Sequence, residues 1–125
     1  MTLVFDSSII IEIERGNKDI IGKLKELRKV HPASPKISFM SYFEFLYELR
    51  KKSPKNKIKS EEFLKLFDTI QTNNSTASFL VRLKDKYELS LTDLFIASQV
   101  MEHDYILVTK DRDFERIEEI EKVIL

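Results

Sequence analysis

Apolar residues along this chain fall into two patterns. "TLVF" (2–5) and "YILVT" (105–109) are short unbroken apolar runs, which predict buried strands, and "KISF" (36–39) and "KVIL" (122–125) predict two more. Between them the spacing turns helical. "SSIIIEIER" (7–15) predicts a helix closed near Gly16, and Ile20, Ile21, Leu24, Leu27 and Val30 mark a second helix over 18–30. "HPASP" (31–35) is a loop, because two prolines and the residues before them resist helix. "SYFEFLYELRKK" (41–52) reads as a helix stopped before Ser53-Pro54. Residues 57–74 and 75–88 read as an antiparallel helical pair broken at Asn73-Asn74, and 90–104 as a last helix.

Strands separated by helices imply a parallel sheet covered on both faces, an α/β/α arrangement with a short central sheet and an inserted helical pair. No repeat, low-complexity tract or linker divides the chain, so residues 1–125 are expected to form one domain. The 21 basic and 21 acidic residues cancel, and a protein built to coat nucleic acid carries a basic excess, so any such binding is expected to be local. With Cys 0, disulfides and thiolate metal sites are excluded, which fits a reducing cytoplasm. Two glycines leave no glycine-rich phosphate loop.

The positions of the acids change the picture. In "VFDSSIII" (4–11), Asp6 stands between apolar runs, where it either caps a helix or ends a strand at the edge where open α/β sheets place their chemistry. Glu44 falls in the first turn of the expected helix in "FMSYFEFL", Asp93 opens the helix in "LSLTDLFIAS", and Asp111 and Asp113 follow the third expected strand in "VTKDRDF". Each has a plain structural explanation. Ser41-x-x-Glu44 fits a capping box, Ser90-x-x-Asp93 a cap followed by an acid that suits the helix dipole, and Asp111 and Asp113 fit turn positions. In a parallel sheet, however, these junctions share one edge. Carboxylates crowded at the border of a core repel one another and have raised pKa values unless a cation intervenes. A hard divalent ion such as Mg²⁺ or Mn²⁺ takes oxygen ligands, and phosphoryl chemistry follows from it.

"LVFDSSIII", "MSYFEFLYEL", "LSLTDLFIASQV" and "ILVTKDRDFERI" resemble, in order, the motifs of PIN-domain ribonucleases, in particular VapC-type toxins of toxin–antitoxin pairs. The resemblance spans nearly the whole chain. It implies a PIN-like α/β/α fold and hydrolysis of RNA phosphodiester bonds. It also implies that Asp6 and Asp93 hold Mg²⁺ or Mn²⁺, with Glu44 completing the acidic set. The fourth motif supplies one further carboxylate, with Asp111 preferred over Asp113 for its closeness to the strand end. A homodimer and a cognate antitoxin protein are implied with them. Ser7, Ser8 and Thr109 match small hydroxyl positions that support such acids, and equally fit caps and turns. Lys110 and Arg112 stand beside the acids, where RNA phosphates would pass, or are plain loop charges. Three readings stay open: the VapC-type toxin, a PIN nuclease of RNA processing without an antitoxin, and a degenerate PIN module that only binds. A phosphatase or receiver domain fits less well, since "DSS" lacks a second aspartate and no catalytic lysine pattern is present.

The remaining candidates read as structural. His31 and His103 have no partner histidine at ligand spacing, Phe114 is expected to plug the core beneath the fourth motif, and the lysines at 51, 52, 55, 57 and 59 fit a solvated turn. Tyr42, Phe43, Phe45 and Tyr47 exceed what one helix face buries, which suggests core plus interface.

Overall fold

Strand β1 (Leu3–Phe5) lies at the centre of a five-stranded sheet in a computed structural model that describes residues 1–125. The sheet order is β3-β2-β1-β4-β5, with β2 at Lys36–Ser38, β3 at Asp68–Ile70, β4 at Ile106–Thr109 and β5 at Glu121–Ile124. Every pairing is parallel, and β1 meets β2 through Val4↔Lys36 and β4 through Val4↔Leu107. Parallel strands need crossovers, and the helices supply them. They are α1 (Ser7–Glu14), α2 (Lys18–Val30), α3 (Phe39–Leu49), α4 (Pro54–Leu64), α5 (Asn74–Lys86) and α6 (Leu91–His103), followed by a 3-10 turn at Arg112–Arg116.

The alternation of side chains along each strand divides the apolar residues between two faces. Leu3, Phe5, Ile106 and Val108 face one core with Ile9 and Ile10 of α1, Ile20 and Leu24 of α2, and Phe45 and Leu49 of α3. Val4 and Leu107 face the other, with Leu83 of α5 and Leu94, Ala97 and Val100 of α6. Phe114 is buried in this second core, as the sequence predicts. β1 and β4 are unbroken apolar runs because both of their faces are covered.

Three details differ from the sequence expectation. There are five strands rather than four, because Asp68–Ile70, expected to continue a helix over 57–74, pairs with β2 through Ser38↔Ile70. Phe63, Phe67 and Ile70 keep a helix-like spacing, and three residues at a sheet edge are too short to impose a period of two. The helical pair is also different. Asn73 caps α5 through a reciprocal bond with Thr76, and α5 packs along α6 rather than back on α4. Finally, α3 begins at Phe39 with Ser38 as its cap, its hydroxyl accepting from the Met40 N–H at 3.2 Å. Glu44 therefore lies in the second turn, and Ser41, expected as the capping residue, is a buried hydroxyl of the helix interior.

Candidate active site

Asp6 serves both roles that its sequence position allowed. It ends β1 and caps α1, and its Oδ1 accepts from the Ile9 N–H at 3.3 Å and from the Ser8 hydroxyl at 2.5 Å. Its other oxygen accepts from the Thr109 hydroxyl at the end of the adjacent β4. Thr109 Oγ1 in turn accepts from the Asp111 N–H at 3.0 Å, and Asp111 Oδ1 accepts from the Asp113 N–H at 2.9 Å. A chain of side-chain bonds thus runs from the central strand to the fourth acidic motif. It holds a carboxyl that is only 4% exposed. Burial pushes the Asp6 carboxyl above its ordinary range, opposed by the Ser8 and Thr109 hydroxyls and the Ile9 N–H, and the nearby Asp111 charge raises it further.

Asp93 approaches from α6. Ser90 caps that helix, accepting from the Asp93 N–H at 3.1 Å, so the capping part of the sequence reading holds. The Asp93 carboxylate also lies with those of Asp111 and Asp113, and one oxygen from each falls within 4.8 Å of the other two. Burial raises the Asp93 pKa, and the charge of Asp111 adds to it, with smaller effects from Asp113 and Asp6. Glu44 comes from α3, with Ser7 donating to its Oε1 at a long 3.5 Å. Burial again leads in raising its pKa, followed by the charges of Asp6 and Asp93. All five acids named from the sequence therefore border one region. The tightest set is Asp93, Asp111 and Asp113, so both fourth-motif acids belong to it, and Asp6 and Glu44 stand outside that triplet.

The donor set is all carboxylate and hydroxyl oxygen. Three of its acids carry raised pKa values from burial and mutual repulsion, with no lysine or arginine among the causes. These residues fit a hard divalent cation, which would compensate the crowded charge.

Sequence reasoning missed the residue that ties these helices together. Gln99 of α6 is fully buried, and its Oε1 accepts from Ser38 Oγ at 2.7 Å and from the Phe39 N–H at 2.9 Å. Its Nε2 donates to the carbonyls of Ile70 at 3.1 Å and Gln71 at 3.4 Å. One amide thus fixes the start of α3, and with it Glu44, against the helix that carries Asp93. The signal available was a lone amide in the apolar run "LFIASQV". Arg112, by contrast, turns away from the acids to pair with Glu115 at 2.7 Å, both side chains exposed.

The PIN domain family model matches residues 3–120. The chain belongs to the PIN-domain family. Its fold is similar to that of VapBC2 from Rickettsia felis, a structure bound to a DNA fragment from its promoter. That likeness has 20% identity and a TM-score of 0.84, and it covers 99% of this chain and 98% of that one. DNA-bound VapBC from Salmonella typhimurium is 18% identical, with a TM-score of 0.82 and 99% and 98% of the two chains covered. A toxin–antitoxin complex from Klebsiella pneumoniae is 23% identical with a TM-score of 0.77, covering 95% of each chain. No curated protein sequence matches the chain. In this PIN domain the acids lie where β1, β4 and the start of α6 converge, at the carboxyl edge where parallel sheets bind their ligands.

Proposed function

We propose that this PIN domain is a metal-dependent endoribonuclease that hydrolyses RNA phosphodiester bonds, acting as the VapC-type toxin of a toxin–antitoxin pair. The observation that carries the reading is the convergence of Asp6, Glu44, Asp93, Asp111 and Asp113 at one edge of a PIN fold, where burial and the crowding of carboxylates raise the pKa values of Asp6, Glu44 and Asp93 and call for a cation. The antitoxin partner rests on the structural neighbours, which are VapBC and other toxin–antitoxin complexes. A homodimer is supported by the outer face of α3, where Phe39, Phe43, Leu46 and Tyr47 are exposed and Phe43 stacks on Tyr47 at 5.7 Å. Residues 1–125 act as one nuclease domain in the cytoplasm on this reading, and the absence of cysteine suits that compartment.

Asp6, Asp93 and Asp111 would hold Mg²⁺ or Mn²⁺, with Asp113 clustered beside Asp93 and Asp111 and Glu44 completing the set from the α3 side. Such an ion supplies Lewis acidity toward a phosphodiester and lowers the pKa of water at neutral pH. The chain's own contribution is positional. Thr109 and Ser8 hold Asp6 in one rotamer, the Thr109 hydroxyl sets the backbone of Asp111, and Gln99 sets the separation between α3 and α6. Glu44 is half-buried on the α3 side of the set, a carboxylate placed to accept a proton beside the other acids.

The test is cleavage of RNA by the purified chain in Mg²⁺ or Mn²⁺, with excess chelator as control. Metal-dependent cleavage that a co-expressed partner from the adjacent reading frame suppresses supports the full reading. Cleavage undiminished in chelator rejects the metal mechanism. Metal-dependent cleavage with no inhibitory partner reduces the reading to an RNA-processing nuclease.

A further inference from the structure

Beside the acids, on the α1 side, lies a recess of 370 Å³ lined by Ser8, Ile11, Glu12, Arg15, Lys110 and Asp111. It holds two cations on one carboxylate. Glu12 Oε1 lies 3.5 Å from Arg15 Nη1 and 3.7 Å from Lys110 Nζ, while its Oε2 accepts from the Asn17 side-chain amide. The Glu12 side chain is 13% exposed, whereas those of Arg15 and Lys110 are 72% and 42% exposed. The carboxylate is thus the fixed member, and the two cations reach into solvent around it.

The fixing is built into the backbone. Helix α1 ends in a turn where the Gly16 N–H donates to the Ile13 carbonyl and the Asn17 N–H to the Glu12 carbonyl, both at 3.0 Å. Gly16 takes a φ of +73°, which only a residue without Cβ adopts freely. The turn brings Asn17 beside Glu12, and Asn17 uses both ends of its amide, capping α2 through the Ile20 N–H at 3.2 Å while it donates to Glu12. Lys110 is anchored as firmly. Its N–H donates to Ser8 Oγ at 3.0 Å, and the same hydroxyl donates to Asp6.

We propose that Arg15 and Lys110, oriented by Glu12, form the subsite that binds a phosphate of the RNA strand next to the one attacked at the acidic site. The inference rests on the nuclease reading above and adds the side from which the strand arrives. The physical need is plain. Five carboxylates outweigh the charge of one or even two divalent cations, so the edge stays negative, and a polyanion reaching it requires positive charge alongside. Arg15 and Lys110 line this recess together with Asp111, whereas Arg112 does not line it. Each cation has N–H donors beyond the one that faces Glu12, so a phosphate binds both while Glu12, kept in place by Asn17, continues to orient them.

The experiment compares wild type with Arg15→Ala, Lys110→Ala and Lys110→Arg, and with Lys29→Ala as a distant charge control on α2. Binding of a labelled single-stranded RNA of mixed sequence is measured in Ca²⁺ across a salt series, and steady-state cleavage in Mn²⁺. We expect Arg15→Ala and Lys110→Ala each to weaken binding about fivefold and to reduce the slope of log K against log salt by roughly 0.7, the value for one phosphate contact on a single strand. KM should rise with kcat little changed, Lys110→Arg should restore binding, and Lys29→Ala should match wild type. Unchanged affinity and salt slope in both alanine variants, with wild type cleaving RNA, overturns the subsite and leaves the nuclease reading intact. A wild type that neither binds nor cleaves RNA overturns both.

Discussion

Thr109 and Asp6 are 103 residues apart in sequence, yet the Thr109 hydroxyl donates to Asp6 Oδ2 at the ends of neighbouring strands. Thr109 Oγ1 itself accepts from the Asp111 N–H, so one side chain joins the first and fourth acidic motifs. Thr109→Val keeps the shape and removes both bonds. It should cost about 1–3 kcal/mol of stability, because it leaves a buried carboxyl oxygen without its donor and a backbone N–H without its acceptor. Chemical denaturation measures this, and cleavage should fall with it as Asp111 loses its fixed position.

Asp93→Asn separates function from fold. It removes one of the crowded charges, so the metal-free protein should melt at an equal or slightly higher temperature, and the Ser90 cap is retained because it engages the backbone N–H. Cleavage in saturating Mn²⁺ should disappear. Full activity in this variant would show the acid to be structural.

The raised pKa values of Asp6, Glu44 and Asp93 have a defined sign in stability. A carboxyl that binds its proton more tightly in the folded state contributes stability that is fully present below its unfolded pKa and is lost as pH rises through its folded pKa. In the metal-free protein these three groups therefore lower stability as pH rises from the ordinary carboxylate pKa values, 3.8 for Asp and 4.5 for Glu, through their raised folded values. A divalent metal takes carboxylates in their ionised form, so its addition should reverse the trend. The increase in melting temperature on adding Mn²⁺ should be larger at pH 7 than at pH 5, and Asp93→Asn should flatten that difference.

Gln99→Leu tests the link between α3 and α6. Four polar groups lose their partner: Ser38 Oγ, the Phe39 N–H and the carbonyls of Ile70 and Gln71. A loss of about 3 kcal/mol is expected, read as a shift in denaturation midpoint. Hydrogen exchange should accelerate first at β3 and the start of α3.

Phe43→Glu addresses assembly. Phe43 and Tyr47 are 50% and 49% exposed on α3, with the Arg50 guanidinium 3.7 Å above the Tyr47 ring. If this face joins two copies, a charge placed in it should shift the protein from dimer to monomer in sedimentation, while the melting curve of the monomer changes little.

The parts of the fold that were legible in the sequence are those where burial is two-sided or long. β1 and β4 are unbroken apolar runs between polar boundaries, and Asp6 interrupts one of them too sharply to be a surface residue. The edge strand β3 gave no comparable signal. Its Asp68 is exposed and only Ile70 is buried, so nothing in "FDTI" distinguishes a strand from a continued helix. The start of α3 is not fixed by local sequence because Ser38 and Ser41 are both plausible caps, and only the contact with Gln99 of α6 decides between them. The acids were visible as a set because each sits at a junction between elements. That Asp111 and Asp113 lie together with Asp93 depends on the 3-10 turn, which a local sequence does not specify.

The order of the sheet also bears on biosynthesis. β1 is made before the other four strands of the sheet, but its partner β4 lies about a hundred residues later, paired through Leu3↔Ile106. While the ribosome is still extending the chain, Asp6 has no Thr109 to hold it and no Asp111 beside it. The acidic edge can form only after synthesis has passed Asp113 and the last crossover has closed, and so non-local a pairing makes that closure slow. A nascent chain of this topology therefore has no assembled acidic edge until that closure is complete, however early Asp6 itself is made.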